Sequence, residues 1–231
     1  MTSALVFLPG LDGFGAAISG FTAALSPEVE LIRVGYPPDQ PLDYAALEGA
    51  ARSSLPLGRP FYLLGESFSG PIAISIAASH PPGLKGLILC CSFARNPYPF
   101  LAWMRPALAL LPLMRPALRL SRLVYGADIS QELAGELSAA QDAVSTGALR
   151  ARLEAVLACD VSAKLPGLSI PILYFRASRD HILPSSAAEK ILSAAPHTVI
   201  RDFDAPHFLL QAKPVEAAQA VKEFIAAALQ R

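Results

Sequence analysis

The sequence predicts an α/β fold: a doubly wound, mainly parallel six-stranded sheet carrying one helical insertion. Three observations lead there. Six short runs of β-branched and aliphatic residues recur along the 231 residues. Their hydrophobicity is continuous rather than alternating, as in strands buried on both faces of a parallel sheet. Ala-rich segments of helical character lie between runs on short connections, giving a β-α-β-α alternation.

The first run, Ala4 to Leu8, is wholly apolar and stops at Pro9-Gly10. Glu30 to Val34 is the second and closes on Gly35-Tyr36-Pro37-Pro38. Phe61 to Leu64 is the third, ended by Gly65, and a helix is expected from Ile72 to Ser79 before the fourth run, Gly86 to Cys91. Ile170 to Phe175 is the fifth, and Thr198 to Ile200 the sixth and most polar. Helices are expected over Ser186 to Ala195 and Pro214 to Leu229. In the latter, Val221, Phe224, Ile225 and Leu229 make an apolar stripe opposite Lys222 and Glu223.

The alternation breaks once. From Arg95 to Gly167 no strand-like run occurs. Pro97, Pro99, Pro106, Pro112 and Pro116 cut its first half into short helical pieces, and Gln131 to Ala140 and Gly147 to Ala158 read as two further helices. A structureless loop of that length does not suit a compact domain. The expected organisation is a core of residues 1–94 and 168–231, with residues 95–167 as a helical insertion over the end of the sheet.

Composition narrows the function. There are 19 Lys+Arg and 19 Asp+Glu, so the net charge is zero, which argues against nucleic acid as a partner. Hydrophobic residues make up 53% and charged residues 16%, enough apolar side chain for a full core and too few charges for disorder. The mean hydropathy of +0.42 invites a membrane reading. The most lipid-like stretch, Leu101 to Leu120, is broken by Arg105, Pro106, Pro112, Arg115, Pro116 and Arg119, so stable insertion is not expected. The N-terminus has no basic region, and its apolar run ends at Pro9, too short for a secretion signal. Cys90, Cys91 and Cys159 form neither a disulfide framework nor a metal spacing, so buried, reduced thiols and a cytoplasmic location are expected. No cofactor is expected: there is no phosphate-binding glycine fingerprint and no His/Cys/carboxylate cluster with metal spacing.

The chemistry gathers after the third run, at Gly65-Glu66-Ser67-Phe68-Ser69-Gly70, followed by an apolar helix. Strand, sharp turn with a serine at its apex, then helix is the pattern of a nucleophile elbow. Residues two positions either side of the serine must be small so that strand and helix can approach, and Gly65 and Ser69 meet that demand. The helix start beyond adds a favourable dipole for an oxyanion.

On these residues the chain resembles the α/β-hydrolase superfamily, with Ser69 where the second glycine of Gly-x-Ser-x-Gly usually stands. The resemblance covers the sheet domain, roughly residues 4–94 and 168–230. The first strand begins at once, so the antiparallel hairpin that opens many relatives is expected to be missing. The resemblance implies a triad of Ser67 as nucleophile, Asp180 as orienting acid and His207 as base, in the superfamily's chain order. His207 lies in Ala205-Pro206-His207-Phe208 after the last run, and Asp180 on the loop after the fifth. Asp202 and Asp204 are weaker rivals for the acid, too close before His207 in the chain; His80, His181 and His197 read as structural or rim residues. The oxyanion hole implied by the resemblance is the pair of backbone N–H groups of Leu11 and Phe68.

The activity implied is carboxylic ester hydrolysis through an acyl-enzyme, since a serine at the elbow sets aside the aspartate chemistry of dehalogenases and epoxide hydrolases. The expected partner is a small-molecule ester with an apolar acyl group. Residues 95–167 would act as a lid, with Trp103, Met104 and Leu108 as candidate substrate-binding residues and Leu110, Leu111, Leu113, Met114, Leu118 and Leu120 as further apolar lining. These apolar residues serve equally well to pack the insertion onto the sheet. Two alternatives stay open: a thioesterase or acyl-carrier-linked ester hydrolase, suggested by Arg95, Arg105, Arg115, Arg119 and Arg122 in an acid-free stretch, and a non-catalytic ligand-binding module on the same fold.

Overall fold

The computed structural model describes residues 3–112 and 129–229, without the side chain of Met104. Leu113, Met114, Arg115, Leu118, Arg119, Leu120 and Arg122 lie outside the described residues. The core is one sheet of six strands: β1 (Ser3–Leu8), β2 (Val29–Arg33), β3 (Phe61–Glu66), β4 (Leu84–Cys90), β5 (Ile172–Ala177) and β6 (Val199–Phe203). Every neighbouring pair is parallel, in the order β2-β1-β3-β4-β5-β6. The mainly parallel sheet expected from the sequence is thus wholly parallel among the described residues.

The continuous apolar runs have a direct structural cause. Side chains alternate faces along a strand, so a strand covered on both sides must be apolar at every position. Ala4, Val6 and Leu8 of β1 face one core with Leu63, Leu87, Leu89 and Tyr174. Leu5 and Phe7 face the other, with Tyr62, Leu64, Ile88 and Phe175. Helices α2 (Tyr44–Arg52), α3 (Gly70–Ala78) and α6 (Ser186–Ala194) cover the first core, through residues such as Leu47, Ile72, Ile76 and Ile191. Helices α1 (Ser19–Leu25), α7 (Leu209–Ala212) and α8 (Pro214–Leu229) cover the second, through Phe21, Leu25, Leu209, Leu210, Val221 and Ile225. β6 extends past Ile200 to Phe203 through exposed Arg201 and Asp202; it is an edge strand, so polar residues cost it little and hid its end.

Between β4 and β5 the chain forms a 3₁₀ run (Pro99–Leu110) and helices α4 (Gln131–Ala143) and α5 (Thr146–Ala158). Ser130 and Ser145 cap α4 and α5, accepting the Leu133 and Ala148 amides at 3.1 Å each. The two ends of this segment meet: Arg95 pairs antiparallel with Asp160, and the Val161 amide donates to Ala94 at 2.7 Å. No helix among the described residues is long and apolar enough to cross a membrane. All three cysteines are unpaired and buried.

The order β2-β1-β3 is what makes room for a site. From β1 the chain leaves to one side for β2, and from β3 to the other side for β4. At the carboxyl ends of β1 and β3 the connections therefore diverge and leave a crevice. The loop after β1 and the turn after β3 both open into it.

Candidate active site

The turn after β3 is tight. Ser67 sits at φ +46°, a left-handed conformation rarely adopted by a side chain of this kind, and opens a single 3₁₀ turn (Ser67–Ser69) that runs into α3. The close approach of strand and helix is visible at Gly65. A Cβ there would lie 2.8 Å from the Ala73 Cβ and 2.9 Å from the Ser69 carbonyl oxygen. The strain is held by hydrogen bonds. Ser92, at the end of β4, donates its hydroxyl to the Ser67 carbonyl. The Tyr44 hydroxyl donates to the Phe68 carbonyl at 2.9 Å, and the Phe68 ring stacks on Tyr44 at 4.8 Å.

Ser69 is more than a tolerated substitute for glycine. Its hydroxyl donates to the Pro9 carbonyl and pairs with the buried Tyr36 hydroxyl at 2.8 Å. It thereby ties the turn after β3 to the loop after β1. Burial raises the Tyr36 phenol well above its ordinary pKa, so Tyr36 stays neutral and serves as a hydrogen-bonding group.

The Ser67 hydroxyl lies 2.8 Å from His207 Nε2, and His207 Nδ1 lies 2.7 Å from Asp180 Oδ2. The other Asp180 oxygen accepts the Ile182 and Leu183 amides at 2.8 Å each, which fixes the carboxylate on its own loop. Three residues far apart in the chain therefore form one line of hydrogen bonds, on the loops after β3, β5 and β6. The His207 and Asp180 side chains are 7% and 10% exposed, so most of the line is shielded from water. Asp202 and Asp204 point elsewhere and pair with Arg176 and Arg179. His181 lines the cavity rim, His197 sits at the opposite end of the sheet, and His80 is exposed after α3.

Ser67 and His207 open into a cavity of about 420 Å³. Apolar side chains of Leu11, Leu137, Ala140, Ile182 and Phe208 form much of its wall, and Asp12, Glu66 and Gln211 make a polar corner. Trp103 and Leu108 do not line it: Trp103 is 78% exposed, and helix α4 supplies the wall from this segment, through Leu137, Ala140 and Gln141. Among the described residues, the 3₁₀ run Pro99–Leu110 contributes no side chain to this wall, which hydropathy cannot register. Leu11 borders the cavity through its loop, and its amide has no acceptor among the described residues. Phe68 is buried against Tyr44, and its side chain does not line the cavity.

Glu66, the charged residue that ends the apolar strand β3, is 6% exposed. Burial, reinforced by the nearby Asp12 carboxylate, raises its pKa to about 7, against the pull of Gln211, which donates to it at 3.0 Å. Cys91, Asp180 and His207 are the one group among the described residues whose donor atoms sit closely enough for a metal, within 4.8 Å of each other. Two of them already share the 2.7 Å hydrogen bond, so the group serves that bond first.

Residues 43–208 match the model of the family described as serine aminopeptidase, S33. No curated protein matches the chain. Among solved structures, a hydrolase from Oleispira antarctica superposes with a TM-score of 0.81 at 16% identity, over 98% of this chain and 91% of that one. An esterase from Exiguobacterium antarcticum gives 0.78 at 16% identity, over 97% and 92% of the two chains. A thermophilic esterase from Thermogutta terrifontis gives 0.78 at 20% identity, over 99% and 91%. At such identities the likeness is one of fold.

Proposed function

The chain belongs to the serine aminopeptidase family of α/β-hydrolases, and from that premise we propose that it is a serine hydrolase cleaving carboxylic esters of small or medium acyl chain through an acyl-enzyme. The observation that carries the reading is the unbroken hydrogen-bond line from Ser67 Oγ through His207 to Asp180, at 2.8 and 2.7 Å, opening into an apolar cavity.

A serine hydroxyl attacks poorly at neutral pH unless a base takes its proton. In this reading Ser67 Oγ attacks the ester carbonyl while His207 Nε2 takes the proton. Asp180 holds Nδ1–H in place and stabilises the imidazolium. The developing oxyanion is received by the amides of Leu11 and Phe68. As the bond to the alcohol oxygen breaks, His207 returns the proton to it. Water, deprotonated by the same imidazole, then attacks the acyl-enzyme and releases the acid. The fixed φ of Ser67 supports this reading, since a serine with only a packing role has no need of strained backbone.

The cavity wall suggests the substrate class. Asp12 and Glu66 border it and no Lys or Arg does among the described residues, which favours a neutral acyl ester over an anionic one. Residues 95–167 act as the lid, contributing Leu137 and Ala140 to the acyl-facing wall. The three unpaired, buried cysteines suit a reducing compartment such as the cytoplasm.

The experiment is a p-nitrophenyl ester series from acetate to decanoate, with Ser67→Ala as control. Turnover by the wild type and its loss in a folded Ser67→Ala protein are expected. Undiminished turnover without the hydroxyl would remove the proposal.

A further inference from the structure

Helix α5 sends one side chain inward against its own pattern. Arg150 and Glu154 pair across its outer face at 2.8 Å, while Arg152 between them is 1% exposed. Its Nη1 donates to the Leu11 carbonyl at 2.8 Å and its Nη2 to the Pro37 carbonyl at 2.9 Å. The guanidinium lies 6.0 Å from the centre of the Tyr36 ring. Asp12 acts on it through space, but no carboxylate forms an ion pair with it among the described residues. A buried cation without a paired anion is costly to keep, and an apolar side chain of similar length would fill the space more cheaply. The two forked donors therefore point to a use beyond packing.

That use is legible in the loop after β1. The Pro9 carbonyl accepts from Ser69, the Gly10 carbonyl accepts the Gly13 amide at 3.1 Å, and the Gly10 amide faces the Glu66 carboxylate. The Leu11 carbonyl accepts from Arg152, and the Asp12 carboxylate accepts the Ala16 amide at 2.7 Å. Among the backbone groups of residues 9–11, the Leu11 amide alone lacks a partner within the described residues. Gly13 lets the guanidinium in: at φ +87°, a Cβ there would stand 2.8 Å from Arg152 Nη1. The far end of the clamp is also fixed, because the Ser145 amide at the start of α5 donates to the Pro38 carbonyl at 2.8 Å.

We propose that Arg152 is a positioning residue for ester hydrolysis: by gripping the Leu11 carbonyl from the lid, it holds the Leu11 amide aimed at the oxyanion. The inference rests on the reading of Ser67 as nucleophile and Leu11 as oxyanion donor. It makes the seating of α5 a condition of turnover, so the lid takes part in the chemical step as well as walling the cavity.

Arg152→Met and Arg152→Lys are measured beside the wild type for kcat and KM on p-nitrophenyl butyrate, for Tm, and for inhibition by butylboronic acid. The boronic acid forms a tetrahedral anion on Ser67 and so reports oxyanion stabilisation. In Arg152→Met, kcat falls about ten- to a hundredfold, part of what losing a whole oxyanion donor costs. KM stays within about threefold and boronate affinity drops in step with kcat, because the lost stabilisation belongs to the transition state. Arg152→Lys recovers part of the kcat loss by keeping one donor. A kcat within twofold of wild type in Arg152→Met, or a loss carried by KM with boronate affinity unchanged, overturns the inference while leaving Ser67 as nucleophile. Failure of both variants to fold also overturns it, making Arg152 a residue of stability. Turnover surviving in Ser67→Ala would remove the underlying reading instead.

Discussion

Glu66→Gln tests the electrostatics of the site floor by a measurement independent of substrate. In the folded protein the Glu66 carboxyl has its pKa raised from 4.5 to about 7, chiefly by burial and then by Asp12. Between those two pH values the native state keeps a proton that the unfolded chain has released. Stability must therefore fall as pH rises through that window. The loss is absent below the unfolded value and complete above the folded one. At about 1.4 kcal/mol for each pH unit, the whole loss is about 3 kcal/mol. The amide introduced by Glu66→Gln cannot titrate, so the variant lacks this loss. Any change in its hydrogen bonds to Gln211 adds an offset independent of pH. Urea unfolding of both proteins at half-unit steps from pH 4 to 8.5 gives the difference directly. The variant gains about 3 kcal/mol on the wild type between the acid and alkaline ends, because titrations not coupled to Glu66 cancel. Parallel curves across the window would refute the reasoning, and with it the claim that this carboxyl is desolvated.

Asp180→Asn is expected to fold normally, because a retained side-chain oxygen still accepts the Ile182 and Leu183 amides. Its NH₂ then faces His207 Nδ1 and forces the proton onto Nε2, so kcat on p-nitrophenyl butyrate falls by about 10⁴; wild-type turnover would reassign the acid. Gly65→Ala places a Cβ 2.8 Å from that of Ala73, and a drop of about 1–3 kcal/mol in urea unfolding is expected from overpacking. Leu137→Trp narrows the cavity from helix α4. It should lower kcat/KM for octanoate and decanoate esters by about tenfold and spare acetate; an unchanged chain-length profile would move the acyl site elsewhere.

Much of this protein could be read from one dimension. The all-apolar stretch Ala4 to Leu8 and its counterparts mark doubly covered strands, because pleat geometry leaves such a strand no solvent face. The small–Ser–small turn after Phe61–Glu66 marks a strained bend for a similarly local reason: side-chain bulk two residues away decides whether strand and helix can touch. Local rules of this kind marked Ser67 as a candidate, whereas Asp180 and His207 came from the resemblance to the α/β-hydrolases and its chain order. A glutamate directly after an apolar run and beside the apex serine, Glu66, is a further local signal, of a carboxyl carried into the buried turn.

Other features came only with the folded chain. Nothing in the neighbourhood of Arg152 separates it from Arg150, yet one is solvated and the other is buried against a loop 141 residues away in sequence. Likewise, hydropathy put Trp103 forward as a cavity residue and passed over Leu137, and only the placement of α4 shows Leu137 in the wall and Trp103 outside it. Burial preference is a property of a side chain, whereas the identity of its neighbour is a property of how helices and loops pack. Local sequence therefore determined the sheet and the elbow. Tertiary packing decided what surrounds them, because those contacts join segments that share no local signal.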